Sequence, residues 1–332
     1  MTARAKALLA RLADGSLHSG ADLADQLGVS RAAIWKLVTE LRGHGIAVDS
    51  LPRRGYRLPA PVELLDAQRI CGAAAARGFP LPATVEVLFE IDSTNTYLYA
   101  AASPPPGSAR VAFAEIQHAG RGRRGRSWLA PFGSGLTFSV AWTFAETPPG
   151  LPALGLALGV AVAEALRGLG FDEVRLKWPN DVVWRHRKLG GLLLQLRTES
   201  GGPASVVAGL GLNLSLPPAS REHLESEGAL PVADLDEAMA GNVPGRNTLA
   251  AILAAALLAA LDEFARCGFG AFAPRWATLD ALAGARVRVT QGAGDVEGEA
   301  RGADADGALL VAVDGRIERF HSGDVSLRPA TP

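Results

Sequence analysis

Cysteine is almost missing from this chain of 332 residues: there are two, Cys71 and Cys267, with no CxxC pair and no histidine at a zinc spacing. That excludes a disulfide scaffold and a zinc module, and it suits a reduced, cytoplasmic protein. An excess of either charge is missing as well. With 33 Lys and Arg against 34 Asp and Glu, no global field draws the chain to nucleic acid or to a membrane surface. The apolar run Leu151 to Leu166 is broken by two glycines and Glu164 and reads as a core helix, so no membrane partner is expected. The opening MTARAKALLARLADG is interrupted by Arg11 and Asp14 and lacks the apolar region and cleavage site of a secretory signal. Lysine is scarce, four residues against 29 arginines, so Lys177 and Lys188, close together in the middle of the chain, stand out.

What is present is globular: 48% hydrophobic, mean hydropathy +0.15, and length for roughly two domains of about 150 residues. The near-neutral total hides a basic start. Residues 1–58 hold nine Lys or Arg and five Asp or Glu, a net of +4. Ala5 to Ala13 predicts a short helix, Ser19 caps a second over Ala21 to Leu27, and Ser30 caps a third over Arg31 to Arg42. In that third helix Ile34, Leu37, Val38 and Leu41 form one buried stripe, leaving Arg31, Ala32, Trp35 and Lys36 on the other face. Two alternating runs then turn at Pro52-Arg53-Arg54-Gly55. Helix, turn, helix and a basic hairpin make a winged helix, whose third helix can present side chains to base edges while Arg53 and Arg54 neutralise phosphates. Such modules also serve in protein interaction or as lids.

After Pro59 and Pro61, the pattern alternates. Strands are expected at Thr84 to Ile91, Val111 to Gln117, Leu136 to Phe144, Val174 to Trp178, Asp181 to Trp184, Gly190 to Arg197 and Ser205 to Leu214. Helices are expected from Thr94, over Ala153 to Leu169 and over Thr248 to Cys267. Many strands with few crossover helices predict a mixed sheet with helices on one side, an α+β chain. Five short alternating runs from Leu282 to Arg328 predict a small SH3-like barrel with a stabilising or docking role. The expected domains are 1–62, 63–280 and 281–332.

The strongest motif is Gly120-Arg121-Gly122-Arg123-Arg124-Gly125-Arg126, between two apolar strands and followed by Ser127 and Trp128. Three glycines and four arginines form no core element; exposed N–H groups and guanidinium forks suit phosphate, though a basic surface or an RNA patch reads the same way. It is neither a P-loop nor a dinucleotide fingerprint. Ser93, Thr94 and Asn95 stand at a helix start, as caps or ligand contacts. Lys177-Trp178-Pro179-Asn180-Asp181 joins two strands, either as a turn or as a site where Lys and Asp serve a nucleotide and its metal. The glycines of Lys188-Leu189-Gly190-Gly191 and of Gly209-Leu210-Gly211-Leu212-Asn213 mark bends or close ligand approach.

Taken together, SRAAIWKLVTELRGHGI, the RRGYRL wing, STN, EIQHAGRGRRGRSW, KWPND, RKLGG, GLGLNL, RNTLAA and the terminal SLR resemble the bifunctional biotin protein ligases that also act as biotin-operon repressors. The resemblance covers essentially the whole chain. It implies a catalytic domain of the biotin/lipoate ligase type that uses ATP and Mg²⁺ to make biotinyl-5'-AMP and passes biotin to a lysine of a biotin carboxyl carrier domain.

On that resemblance, Ser93, Thr94, Asn95, Gln117, Arg121, Gly122, Arg123 and Lys188 bind biotin. Arg121, Arg123, Trp128, Lys177, Asn180 and Asn213 bind the nucleotide, with Lys188, Arg123 and Lys177 catalytic and Asp181 placing the metal. Ser30, Arg31, Ala32, Trp35, Lys36, Arg53 and Arg54 meet operator DNA, which a homodimer formed on the adenylate would bind. One departure is the stretch from Leu216 to Arg246, which in relatives helps cover the adenine and here holds no aromatic residue. Two other readings remain: a transcription factor that senses a ligand without ligation, and a ligase for another acyl acid such as lipoate.

Overall fold

The computed structural model describes residues 1–198, 202–226, 231–239, 241, 243–291, 294–321 and 323–327. Arg328, and residues 227–230, 240 and 242 of the Leu216 to Arg246 stretch, lie outside the described residues.

The chain opens with helices α1 (Ala3–Leu12), α2 (Gly20–Leu27) and α3 (Arg31–Gly43), then a hairpin of β1 (Asp49–Leu51) and β2 (Gly55–Arg57). Thr2, Ser19 and Ser30 cap the three helices, each side chain accepting a backbone N–H three residues on. Gly28 ends α2 in the left-handed region at φ 61, which keeps the turn into Ser30 short. Leu8, Leu12, Leu23, Ile34, Val38 and Leu41 fill the core of this unit, each contributing roughly 1.5–3 kcal/mol by burial. Gly55 is needed as glycine: a Cβ there would lie 1.9 Å from the His18 carbonyl oxygen, where His18 and Tyr56 exchange backbone hydrogen bonds of 3.0 and 2.9 Å.

The central unit begins with α4 (Ala67–Ala75), β3 (Ala83–Ile91), α5 (Thr94–Ala100), β4 (Ala109–Gln117) and β5 (Gly135–Phe144). It continues through α6 (Leu154–Arg167), β6 (Val174–Lys177), β7 (Asp181–Trp184), β8 (Arg187–Thr198), β9 (Ala204–Asn213), α7 (Pro218–Ser226) and α8 (Leu235–Ala238). Helices α9 (Arg246–Cys267) and α10 (Ala273–Leu279) close it. Seven strands form one sheet in the order β3-β4-β5-β9-β8-β7-β6, with β3 and β4 parallel and every other pair antiparallel.

Helices α4, α6 and α9 cover one face, but not every helix lies there. Leu98 of α5 packs on Ala112, Ala141 and Val207 on the opposite face. The parallel pair is the reason: β3 can reach β4 only through a crossover, and α5 is that crossover. Helix α4 was not among the expected elements. Helix α9 is long and apolar enough to cross a membrane, with a mean hydropathy of 1.8 over its most apolar window, yet Leu249, Leu253, Leu257, Leu261 and Phe264 are fully buried against the sheet and α6.

The last unit is a five-stranded antiparallel sheet of β10 (Arg286–Gln291), β11 (Gly294–Ala303), β12 (Leu309–Val313), β13 (Arg316–Phe320) and β14 (Asp324–Leu327), in the order β13-β12-β11-β10-β14. It is fastened to the central unit: the Trp178 indole N–H donates to the Gly307 carbonyl at 2.9 Å. The Ala281 N–H donates to the Leu176 carbonyl at 2.8 Å.

Candidate active site

Parallel pairing of β3 and β4 ends both strands at the same place, and the segments leaving them, Asp92 to Asn95 and His118 onward, start side by side. There the Thr94 N–H and hydroxyl both donate to Gln117 Oε1, at 2.8 and 3.2 Å. The Thr94 hydroxyl meets Ser139 Oγ at 2.7 Å, and Ser139 donates to Asn95 Oδ1 at 2.6 Å. Asn95 Nδ2 donates in turn to the Leu193 carbonyl at 3.1 Å. Ser93 caps α5 by accepting the Thr96 N–H. This chain of hydroxyls and amides fixes its members in place, because a buried polar group left unpaired costs about 1–3 kcal/mol. Ser139, fully buried, is a member that sequence reasoning missed; its signal is the one hydroxyl inside the apolar run Phe138 to Trp142.

The network floors a cavity of about 580 Å³, a size that suits a small molecule. Every residue assigned to biotin, nucleotide, metal or catalysis lines it: Ser93, Thr94, Asn95, Gln117, Arg121, Gly122, Arg123, Trp128, Lys177, Asn180, Asp181, Lys188 and Asn213. Leu224, from the stretch expected to cover the adenine, lines it too, as do Val325 and Ser326, which were not anticipated. The last two come from β14, so the terminal sheet is part of the cavity wall as well as a docking element.

The Arg–Gly loop is pinned at its ends. Trp128 N–H donates to the Gly120 carbonyl at 2.8 Å and Gly122 N–H to the Arg126 carbonyl at 2.7 Å. Arg124 at its tip adopts φ 56, in the left-handed region that few non-glycine residues occupy. Arg123 Nη1 reaches Asn180 Oδ1 at 3.5 Å, and Asn180 Nδ2 donates to the Leu192 carbonyl at 2.7 Å. The strand glycines serve neighbouring side chains. A Cβ on Gly209 would lie 2.2 Å from Asn95 Oδ1, and one on Gly211 2.3 Å from the Trp128 indole.

Across the cavity, Lys188 Nζ lies 2.8 Å from Asp181 Oδ1 and 5.8 Å from the centre of the Trp128 ring. Its backbone is held apart from β9: Lys188 N–H donates to the Pro231 carbonyl at 2.7 Å, and its carbonyl accepts from Ala233 at 2.9 Å. Asn213 Nδ2 secures the same segment through the Ala233 carbonyl at 3.0 Å. Among the described residues no three potential metal ligands gather into a group.

The residues assigned to DNA sit elsewhere, together on the first unit. Arg31, Ala32, Trp35 and Lys36 are exposed on α3, Trp35 at 59%, and Arg53 and Arg54 are exposed at the wing tip. The Ser30 hydroxyl caps α3 by accepting the Ala33 N–H at 3.2 Å.

A buried ion pair lies within the central unit. Arg246 Nη1 donates to Glu115 Oε2 and to the Glu63 carbonyl, both at 2.8 Å, and Nη2 to the Gly135 carbonyl at 3.1 Å. Asn247 holds the Leu64 carbonyl at 2.9 Å and accepts the Asp66 N–H at 2.8 Å. The motif RNTLAA thus clamps the segment that follows the winged helix.

Comparison with known proteins accords with this geometry. The model of the biotin/lipoate A/B protein ligase family matches residues 88–213, an HTH domain matches 4–57, and the biotin protein ligase C terminal domain matches 283–328. The bifunctional ligase/repressor BirA of Escherichia coli (strain K12) is 40% identical over 97% of both chains, and that of Bacillus subtilis (strain 168) 27% identical over 93% of both. A biotin protein ligase from Aquifex aeolicus, solved in complex with biotin and ATP, superposes with a TM-score of 0.60 at 27% identity, covering 74% of this chain and 99% of its own. Aligned over 97% of its length with the Escherichia coli ligase/repressor and matching the helix-turn-helix, ligase and C-terminal models, this chain belongs to the bifunctional ligase/repressor family.

Proposed function

We propose that the cavity binds biotin and ATP, joins them as biotinyl-5'-AMP and delivers biotin to a lysine of a biotin carboxyl carrier domain. The observation that carries this reading is the placing of Lys177 and Lys188, half of the chain's lysines, in one cavity with Arg121 and Arg123. Two anions must meet there. A carboxylate oxygen of biotin attacks the α-phosphorus of ATP, the bond to the bridging oxygen breaks, and pyrophosphate leaves. The acceptor amine then attacks the acyl carbon, AMP leaves, and the amine gives up a proton. Neither step needs a side-chain nucleophile, so the protein contributes position and electrostatics. Lys188 offsets the repulsion between carboxylate and phosphate. The Thr94, Gln117, Ser139 and Asn95 network faces the polar head of biotin, and the Arg–Gly loop covers the mixed anhydride against water.

Mg²⁺ fits this site as an ion carried by the triphosphate. Asp181 is the single carboxylate among the described residues of the lining, and a hard cation of this size is commonly held by one or two carboxylates and by phosphate oxygens.

We place DNA binding on residues 1–62, catalysis on 63–280 and the terminal sheet on 281–332, in a cytoplasmic protein with no membrane partner. Helix α3 enters the major groove of operator DNA with the wing arginines on phosphates, and the adenylate favours the dimer that spans two half-sites. Pyrophosphate release from ATP with biotin beside lipoate, then transfer to a purified carrier domain, tests the reading. Biotin-specific release with transfer is expected. Release with lipoate alone makes the protein a ligase for another acid, and no release from folded protein leaves a ligand sensor.

A further inference from the structure

Glu90, next to last in β3, gathers three positive or polarised groups from three parts of the chain. The Met1 amino group donates to its Oε1 at 2.8 Å, while His44 Nδ1 and His118 Nε2 donate to its Oε2 at 2.8 and 3.2 Å. The Met1 ammonium first, then His118 and His44, hold the Glu90 carboxyl down at about 2, so it is an anion at any working pH. His44 caps the C-terminus of α3, the helix assigned to DNA. His118 follows Gln117, whose side chain holds Thr94 in the cavity, and it precedes the Arg–Gly loop.

Apolar packing accompanies the charges. Phe89 and Phe132, with ring centres 6.3 Å apart, join the core of the winged helix, and Lys6 Nζ lies 5.5 Å from the centre of the Phe89 ring. The winged helix is therefore seated on the strand ends that open into the cavity. The His118 and Ala119 N–H groups donate to the Ile91 and Asp92 carbonyls, each at 2.9 Å, which ties the root of the loop to the same strand end.

We propose that Glu90 is a latch that seats α3, through His44, on the central unit and reports the state of the Arg–Gly loop to it through His118. One carboxylate oxygen serves both histidines, so any shift of the loop root that draws His118 away changes what His44 receives. The inference rests on the reading of the cavity as a biotin and ATP site in one respect only, the ligands used to move the loop.

Hydrogen exchange of the full chain tests it, with biotin and ATP as probes and pyrophosphate release measured on the same preparations. In the unsubstituted protein, exchange across residues 36–50 should change by about five-fold or more on adding both ligands. Glu90→Gln should speed exchange there without ligand and remove the ligand response, with pyrophosphate release unchanged. His118→Gln keeps the pairing of His44 with Glu90, so its exchange without ligand should match the unsubstituted protein while the ligand response is lost; a merely structural contact would not separate the two. Unchanged exchange in Glu90→Gln, or a full ligand response in His118→Gln, overturns the proposal. Absence of pyrophosphate release in the unsubstituted protein would count against the ligase reading, while the ligand-free comparison of Glu90→Gln still decides the latch.

Discussion

Lys188 meets Asp181 because β8 carries one residue more than β7. Asp181 pairs with Gly191 and Val182 with Gly190, but Val183 pairs with Lys188, so Leu189 is the extra residue of a β-bulge. In unbroken register Leu189 would stand opposite Val183, on the face that Asp181 shares, and Lys188 would point away. The bulge exchanges them: Leu189 is fully buried and Lys188 lines the cavity.

Lys188→Ala should therefore lower the rate of pyrophosphate release by roughly 10²–10³, the cost of removing one well-placed electrostatic group. Circular dichroism and DNA binding should stay as they are. Normal turnover would remove the lysine from the reaction.

Ser139→Ala takes the central hydroxyl from between Thr94 and Asn95 and leaves Asn95 Oδ1 without its 2.6 Å partner. The binding of biotin should weaken about ten-fold, as about 1–2 kcal/mol of hydrogen bonding is lost. Isothermal titration with biotin alone reads this directly; an unchanged Kd would place the polar head of biotin elsewhere.

Arg53→Ala combined with Arg54→Ala should weaken DNA binding at all sequences alike and lower the slope of log affinity against log salt by about 1–2. Trp35→Ala should instead alter the choice among sequences, because Trp35 stands on the exposed face of α3. Fluorescence anisotropy over a salt series separates the two effects, and ligation should be indifferent to both.

Arg246→Met leaves Glu115, 6% exposed, as a buried anion without its cation. Breaking such a pair from one side costs about 3–5 kcal/mol, so the urea midpoint should fall sharply. A loss below about 1 kcal/mol would show that Glu115 finds other compensation, since its Oε1 already accepts the Leu65 N–H.

Asp280 gives the stability a pH dependence. Burial raises its carboxyl to about 6, against the weaker pull of the Leu282 N–H and of Arg175, and its Oδ2 has no hydrogen-bond partner. A folded-state value above the unfolded one means that its contribution is fully present below about pH 4 and is lost as pH rises through about 6. Asp280→Asn keeps an acceptor for Leu282 and should be more stable than the unsubstituted protein at pH 7, by on the order of 2–3 kcal/mol, with no such gain at pH 4. Equal urea midpoints at pH 7 would contradict this.

Much of this was legible in sequence where a local rule acts alone. Ser19 and Ser30 announced their helices, alternation found the strands of the large sheet, and the Arg–Gly loop stood out because nothing in it can pack. Missing were the features that depend on a second segment. Helix α4 is short, alanine-rich and preceded by prolines, and it exists because Ile70 and Ala74 bury themselves against the core. Ser139 looks like a flaw in an apolar strand until Asn95 is placed beside it. The bulge at Leu189 leaves no mark in a run that alternates equally well without it, and Glu90 has meaning only once residues as distant in sequence as His44 and His118 meet.

The placing of Val325 and Ser326 in the cavity wall has a consequence during synthesis. Translation proceeds from the N-terminus, and N-terminal units fold first as the chain emerges. The winged helix, with its caps and most of its core inside the first 60 or so residues, takes shape before the strands that line the cavity are made. The cavity waits for β14, the last strand among the described residues. A nascent chain on the ribosome thus carries the caps and most of the core of its DNA-binding head before it has a finished ligand pocket.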